Sequence, residues 1–236
     1  MITAAAVCPW PPLLARELTG RNPVVPELRT ACEEAVQLLV TTQPALIAVV
    51  GPAAGTRTWD PRSRLDMSVF APALGSLMDL EPGAVRDPAL PPPLGLGALL
   101  LDQAGYTGPR LLQAVAEDSP ADRCASLGET IACSGGGVGL LVMGDGSARR
   151  RSSAPGHFDD RAAGFDAETE RALREADLPA LLAIDPVLAG ELLASGRGPW
   201  QVMAGAMAPV APLVSDILYC DDPFGVAYVV AFLSGE

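Results

Sequence analysis

The chain has 236 residues, enough for one sizeable domain with a buried core or at most two small ones. Sixteen Lys and Arg against 28 Asp and Glu leave a net charge of −12, which repels phosphate backbones and anionic lipid, while 49% hydrophobic residues exclude an acidic disordered chain. A single histidine, His157, excludes any site that needs two His ligands from one chain.

Taken in order, residues 2–7 are an apolar run that stops at Cys8-Pro9-Trp10-Pro11-Pro12, which reads as a buried strand ending in a rigid loop. Pro26 and Glu27 open a helix with Leu28, Ala31, Cys32, Ala35, Leu38 and Leu39 on its apolar face. Residues 46–50 are a second buried strand closed by Gly51-Pro52. Strand, helix, strand over this distance is a βαβ unit, so the two strands should run parallel. Residues 52–93 read as a long proline-rich excursion with a short helix around 74–80.

Residues 94–104 then read as a helix and 110–116 as a strand. Ser119-Pro120 is expected to cap a helix through about Cys133, with Ala121, Cys124, Gly128 and Ile131 on one face. Residues 138–143 are a third clear buried strand, ending at Gly144-Asp145-Gly146-Ser147. A charged helix follows at about 160–176, its buried face including Ala163, Phe165, Ala172 and Leu173. Asp185-Pro186 and Gly198-Pro199 each open a further helix. The chain closes with a hairpin, 215–220 and 226–233, around Asp221-Asp222-Pro223-Phe224-Gly225. The expectation is a single α/β domain over residues 1–236: a mixed, partly parallel sheet with helices on both faces and a C-terminal β-hairpin.

Cysteines 8, 32, 124, 133 and 220 include no CxxC pair and read as reduced, largely buried thiols of a cytoplasmic protein. No stretch approaches the ~20 apolar residues of a membrane span. The N-terminus carries no basic residue before Arg16, unlike a signal peptide. Standard nucleotide and hydrolase motifs are absent: Gly51-Pro52-Ala53-Ala54-Gly55-Thr56 lacks the Lys of a P-loop, Gly135-Gly136-Gly137-Val138-Gly139 precedes a strand, and no Ser sits in a Gly-x-Ser-x-Gly elbow. His157 reads as an exposed loop residue, and Arg149-Arg150-Arg151 either as an anion clamp near Asp145 and Ser147 or as a solvated run. Three strand ends, 9–12, 51–55 and 144–147, carry unusual loops, and ligands of open α/β sheets sit at such ends.

Several segments, in order, resemble those of one known family. Cys8-Pro9-Trp10-Pro11-Pro12-Leu13-Leu14 resembles their opening Pro-His-Pro-Pro-Leu, and Val49-Val50-Gly51-Pro52-Ala53 their second strand ending in Ser-Pro-His. Met143-Gly144-Asp145-Gly146-Ser147-Ala148 resembles Gly-Asp-Leu-Ser-His; Ala154-Pro155-Gly156-His157-Phe158 and Phe165-Asp166 resemble the Ala-Pro-x-Gly-Tyr and Phe-Asp that follow. Leu193-Ala194-Ser195-Gly196 stands where such proteins read Gly-Glu-Cys-Gly, and Pro223-Phe224-Gly225-Val226-Ala227-Tyr228 is similar to their terminal Pro-Phe-Gly-Val-Gly-Tyr. Together these segments resemble the class III extradiol ring-cleavage dioxygenase catalytic chains and Memo-like proteins, and the resemblance implies an iron held by two His and one Glu, with a further His as acid–base. Here Trp10 and Ala53 occupy the ligand His positions, Ala194 the Glu position and Ala148 the acid–base position.

The resulting expectation is a metal-free, non-catalytic member of that family without a cofactor. Its degenerate site (Trp10, Ala53, Ala148, Ala194, with Asp145 and Ser147) would take a small aromatic ligand, or the chain would serve a protein partner or a second copy of itself. Two placements of Trp10 are open: filling the emptied site as core, or roofing a pocket. The alternatives are an enzyme with changed chemistry at Asp145, Ser147 and Arg149, and a dioxygenase completed by a partner chain.

Overall fold

The computed structural model describes residues 1–19, 24–66, 70, 90–210 and 212–235. In chain order the elements are β1 (Ile2–Cys8), a 3-10 turn (Pro12–Leu14), α1 (Arg16–Thr19), α2 (Pro26–Thr41), β2 (Leu46–Ala53), β3 (Arg57–Trp59) and α3 (Pro92–Gln103). They continue with β4 (Arg110–Ala116), α4 (Ala121–Ala132), β5 (Val138–Met143), α5 (Ala162–Arg174), α6 (Leu178–Leu182), α7 (Pro186–Glu191), α8 (Arg197–Met207), β6 (Leu213–Asp221) and β7 (Tyr228–Gly235). One seven-stranded sheet has the order β3-β4-β2-β5-β1-β7-β6.

The four middle strands, β4, β2, β5 and β1, are mutually parallel. A parallel sheet needs helical crossovers, and these bury both of its faces. Strand alternation divides the core accordingly. Ala4, Ala6, Cys8, Ile47, Val49, Leu112 and Leu141 pack with α2 and α3. Ala5, Val7, Ala48, Val50, Val115, Leu140 and Val142 pack with α4 and α8 on the other side. β1 and β2 run parallel as the βαβ reading requires, with β5 inserted between them.

The C-terminal hairpin is part of the main sheet. β7 pairs antiparallel with β1, and β6 forms an edge beyond it. Val229, Val230, Ala231 and Leu233 are buried because β7 has a neighbour on each side and helices on each face. β6 alternates exposed and half-buried residues, as an edge strand does.

Several sequence expectations need correction. Leu38 and Ala163 are exposed; the buried stripes of their helices run through Val36 and Ala162 instead. Cys133 and Cys220 are exposed, and only Cys8, Cys32 and Cys124 are buried. Ser119 gives no side-chain cap to α4, whose N-cap is Pro120. The helix expected around 74–80 lies outside the described residues. Four short elements have no counterpart in the sequence pattern, among them the 3-10 turn (Pro12–Leu14) and α1 (Arg16–Thr19). β3 extends the sheet past β4 by three residues, with the Arg57 guanidinium stacked 3.5 Å over the Trp59 ring. α6 is a short helix whose Asp177 side chain accepts from the Ala180 N–H.

α4 and α8 approach backbone to backbone because glycines face each other's helix. A Cβ on Gly128 would lie 2.0 Å from Val202 O, and one on Gly205 would lie 2.3 Å from Ala125 O. Backbone cannot move aside as a flexible side chain does. Gly128→Ala is therefore expected to destabilise the protein by about 1–3 kcal/mol in urea unfolding. Gly135→Ala, at a loop position with nothing within 4 Å of the new methyl, should stay within about 0.5 kcal/mol of the parent.

Candidate functional site

β1 and β5 are neighbours in register, with Cys8 opposite Met143, so their exits leave the sheet together. The Gly144 N–H donates to Cys8 O at 2.9 Å. One residue on, Asp145 Oδ1 accepts the Trp10 N–H at 2.9 Å. A third segment closes on this pair. Ser195 Oγ accepts from Trp10 Nε1 at 2.9 Å and from the Asp145 N–H at 3.2 Å, while the Gly196 N–H donates to Asp145 O at 2.8 Å. The approach demands glycine at 144, where a Cβ would lie 2.4 Å from the Gly196 Cα, while a Cβ on Gly196 would meet the Trp200 ring at 2.2 Å.

Residues 193–196 reach this position through the C-terminal turn of α7. The Ala194 N–H donates to Ala189 O and the Leu193 N–H to Gly190 O, the paired bonds of a Schellman cap. The cap residue in the left-handed region is Leu193, with φ 56°, where glycine is usual. Its side chain is exposed at the cavity wall. Ala148 N–H donates to Leu192 O, which ties the loop after β5 to the same turn.

These segments enclose a cavity of about 330 Å³ at the carboxyl ends of the parallel strands, lined by Trp10, Pro52, Val115, Asp145, Ala148 and Ala194 among others. Trp10 is half-buried, packs against the core cluster of α2 and α3, and lines the cavity. Trp10 stands at the wall of an open cavity. Asp145 has one oxygen on the Trp10 N–H, and its other oxygen has no hydrogen-bond partner among the described residues. Burial pushes its carboxyl up from 3.8 to about 7, offset only in part by the Trp10 N–H.

Four of the six expected site residues, Trp10, Asp145, Ala148 and Ala194, share the cavity wall. Ala53 does not line it. On β2 the adjacent Pro52 does, and Ala53 packs against the core cluster of α2 and α3. Ser147 is fully buried and turned elsewhere, its Oγ donating to Asp166 Oδ2 at 2.5 Å and its N–H to Asp166 Oδ1 at 2.8 Å. Asp145 and Ser147 therefore do not face one reacting centre. Arg149 does not line the cavity either; Arg150 and Arg151 pair with Asp222, so the basic run is largely occupied by local acid. His157 is an exposed loop residue with φ 59°. Ser195 and Arg197 also line the cavity, and the sequence pattern assigns neither a role. Ser195 at least falls within a segment that carries the resemblance, whereas a solitary Arg has no signal in the linear sequence.

The iron that the resemblance implies does not fit these donors. Indole and methyl groups at Trp10, Ala148 and Ala194 offer no lone pair for a metal. Among the described residues no group of three or more His, Cys, Asp or Glu could hold an ion.

No family model matches the chain, and no curated protein matches it. Solved structures share its fold. An uncharacterized protein of Escherichia coli K12 aligns over 99% of this chain and 100% of its own, at 16% identity and a TM-score of 0.57. The chain is similar to it in fold.

The buried carboxyl and the left-handed cap can each be tested. The folded protein holds the Asp145 proton more tightly than the unfolded chain, so this group lowers stability as pH rises from about 4 to about 7. Asp145→Asn keeps an acceptor for Trp10 and removes the charge. The variant should gain on the parent through that window, by up to about 4 kcal/mol above pH 7, read from urea unfolding at pH 4, 6 and 8. Leu193→Gly should stabilise the protein by about 1 kcal/mol in the same assay, because the left-handed residue no longer carries a Cβ.

Proposed function

We propose that the chain is a metal-free relative of class III extradiol dioxygenase catalytic chains that binds a small, flat organic molecule at the strand-end cavity. The observation that carries this reading is the cavity itself. Segments that resemble four separate motifs of that family contribute Trp10, Pro52, Asp145 and Ala194 to one wall, at the place where α/β sheets bind ligands. The positions that would have held iron carry an indole and methyl groups, and the space beside them is mostly apolar. A pocket of about 330 Å³ with a few directed polar groups suits a single-ring compound.

Trp10 gives the cavity a rigid aromatic wall. Its Nε1 bond to Ser195 and its backbone bond to Asp145 fix the ring at both ends, so little ordering cost falls on binding. Asp145 supplies a carboxyl that is near its midpoint at neutral pH and both donates and accepts. Ser195 is the hydroxyl on the wall, and among the described residues its Oγ only accepts, from Trp10 Nε1 and the Asp145 N–H, with no base bonded to it; binding without turnover is the reading that these side chains support.

Catechol titrated into the full chain should change the emission of Trp10, identified by loss of that change in Trp10→Phe. Ala148→Leu, which places an isobutyl group in the cavity, should weaken binding at least about tenfold. Adding ferrous iron with catechol in air should consume no oxygen beyond the rate without protein. Catechol affinity unchanged by Ala148→Leu would place binding elsewhere, and iron-dependent ring cleavage would overturn the non-catalytic reading.

A further inference from the structure

Arg197 opens α8 and is only 2% exposed. A buried guanidinium is costly unless an anion neutralises it. Arg197 meets only neutral oxygens among the described residues. Nη1 donates to Ser119 O at 2.8 Å and to Gln201 Oε1 at 2.8 Å, and Nη2 donates to Glu117 O at 2.5 Å. Three of its five N–H groups are thus used, leaving Nε and one Nη2 hydrogen without a protein acceptor among the described residues.

Its place on the helix sharpens the imbalance. Arg197 is the first residue of an eleven-residue helix, where the helix dipole is already positive and a cation is disfavoured. No side chain among the described residues caps this end: the N-cap is Gly196. The Arg197 and Gly198 N–H groups have no backbone acceptor among the described residues, and the third position is Pro199, which has no N–H. Arg197, Gly198 and Pro199 all line the cavity that Trp10 and Asp145 line.

Among the described residues, no acid fills the gap. Asp145 has a carboxyl raised by burial and lowered only by the Trp10 N–H, whereas a guanidinium in contact would have pulled it down. Glu117 turns its main-chain oxygen to Arg197, and the residue itself is exposed at the cavity rim. Arg197 is therefore the one cationic side chain among the described residues that line the cavity.

We propose that Arg197 and the uncapped first turn of α8 form an anion subsite, so that the cavity takes a small organic monocarboxylate with a flat apolar body. This rests on the small-molecule reading above and specifies its ligand class. The carboxylate would accept from the free hydrogens of Arg197 and from the first-turn N–H groups, a charge-assisted arrangement. The apolar body would lie along Trp10, Val115, Pro199 and Val226. A phosphate dianion suits the site less, because one guanidinium neutralises only half of it and Asp145 and Glu117 share the same wall.

The experiment is calorimetric titration of the full chain with benzoate, its uncharged isostere benzamide, and inorganic phosphate, at one ionic strength. Benzoate should bind at least about tenfold more tightly than benzamide, and phosphate should bind more weakly than benzoate. Arg197→Gln, checked for folding by its thermal melt, should bring benzoate down to the affinity of benzamide. Should that variant fail to fold, the benzoate to benzamide ratio of the parent decides the matter alone. Equal affinity for the two, or a folded Arg197→Gln with undiminished benzoate binding, overturns the anion subsite and leaves the small-molecule reading standing. Phosphate binding without benzoate binding overturns the carboxylate assignment. Binding of none of the three, with catechol also inert, overturns both readings.

Discussion

The hydrogen bond from the Trp10 N–H to Asp145 Oδ1 joins the exits of β1 and β5, and the rest of the site is arranged around it. Two adjacent parallel strands leave the sheet in the same direction, and nothing in the ladder holds the residues beyond its last rung. Asp145 supplies that hold from one strand exit to the other. Its own backbone N–H is then taken by Ser195 Oγ and its carbonyl by the Gly196 N–H, so the turn before α8 is held against the same residue. The packing permits only small neighbours. Gly144 faces Gly196, and a Cβ on Gly146 would lie 2.8 Å from both Ala227 Cβ and Asp166 Oδ1. The Gly-Asp-Gly sequence is thus what three converging backbones allow, with one carboxylate kept as the tie.

The parts of the fold set by uninterrupted apolar runs are legible in the sequence. Residues 110–116 and 138–143 match β4 and β5 because both are short, doubly buried strands punctuated by Gly, Pro or Ser. Short elements are legible where a cap marks them, as Asp185-Pro186 marks α7, and otherwise are not. β3 has three residues, two of them exposed, and α6 has five, held by Asp177 and by packing against α8. The misplaced helix residues, Leu38 and Ala163, lie beside the buried stripe, where one step around the helix separates core from solvent. The site shows the same sensitivity on a strand. Pro52 and Ala53 are adjacent, so they point to opposite faces of β2, and the choice between them decides which one meets the cavity.

Electrostatics at the cavity are the least legible part. A chain of net charge −12 gives no hint of a local positive site, and Arg197 is one Arg among many in the linear sequence. What distinguishes it is the fold: α8 buries its first turn against the end of β4, and the carbonyls of Glu117 and Ser119 draw the guanidinium inward. The Asp145 carboxyl is desolvated on the same cavity wall without being brought into contact with that cation. Opposite charges that share a wall and do not pair leave a polarised space between them.

That separation also explains why a cavity persists beside an indole and small methyl groups. An apolar void of this size would tend to close, since its lining loses dispersion contacts on one side. Here closure would bury the free carboxylate oxygen of Asp145 without water or partner, which opposes it. Leu193 adds a geometric obstacle: its left-handed backbone, fixed by the Schellman bonds to Ala189 and Gly190, keeps the following Ala194 and Ser195 at the rim. Trp10 cannot swing inward while Ser195 holds its Nε1. The opening is therefore held by an unmet carboxylate oxygen on its wall and by a turn that cannot relax, the condition under which a polar-tipped, apolar-bodied ligand has somewhere to bind.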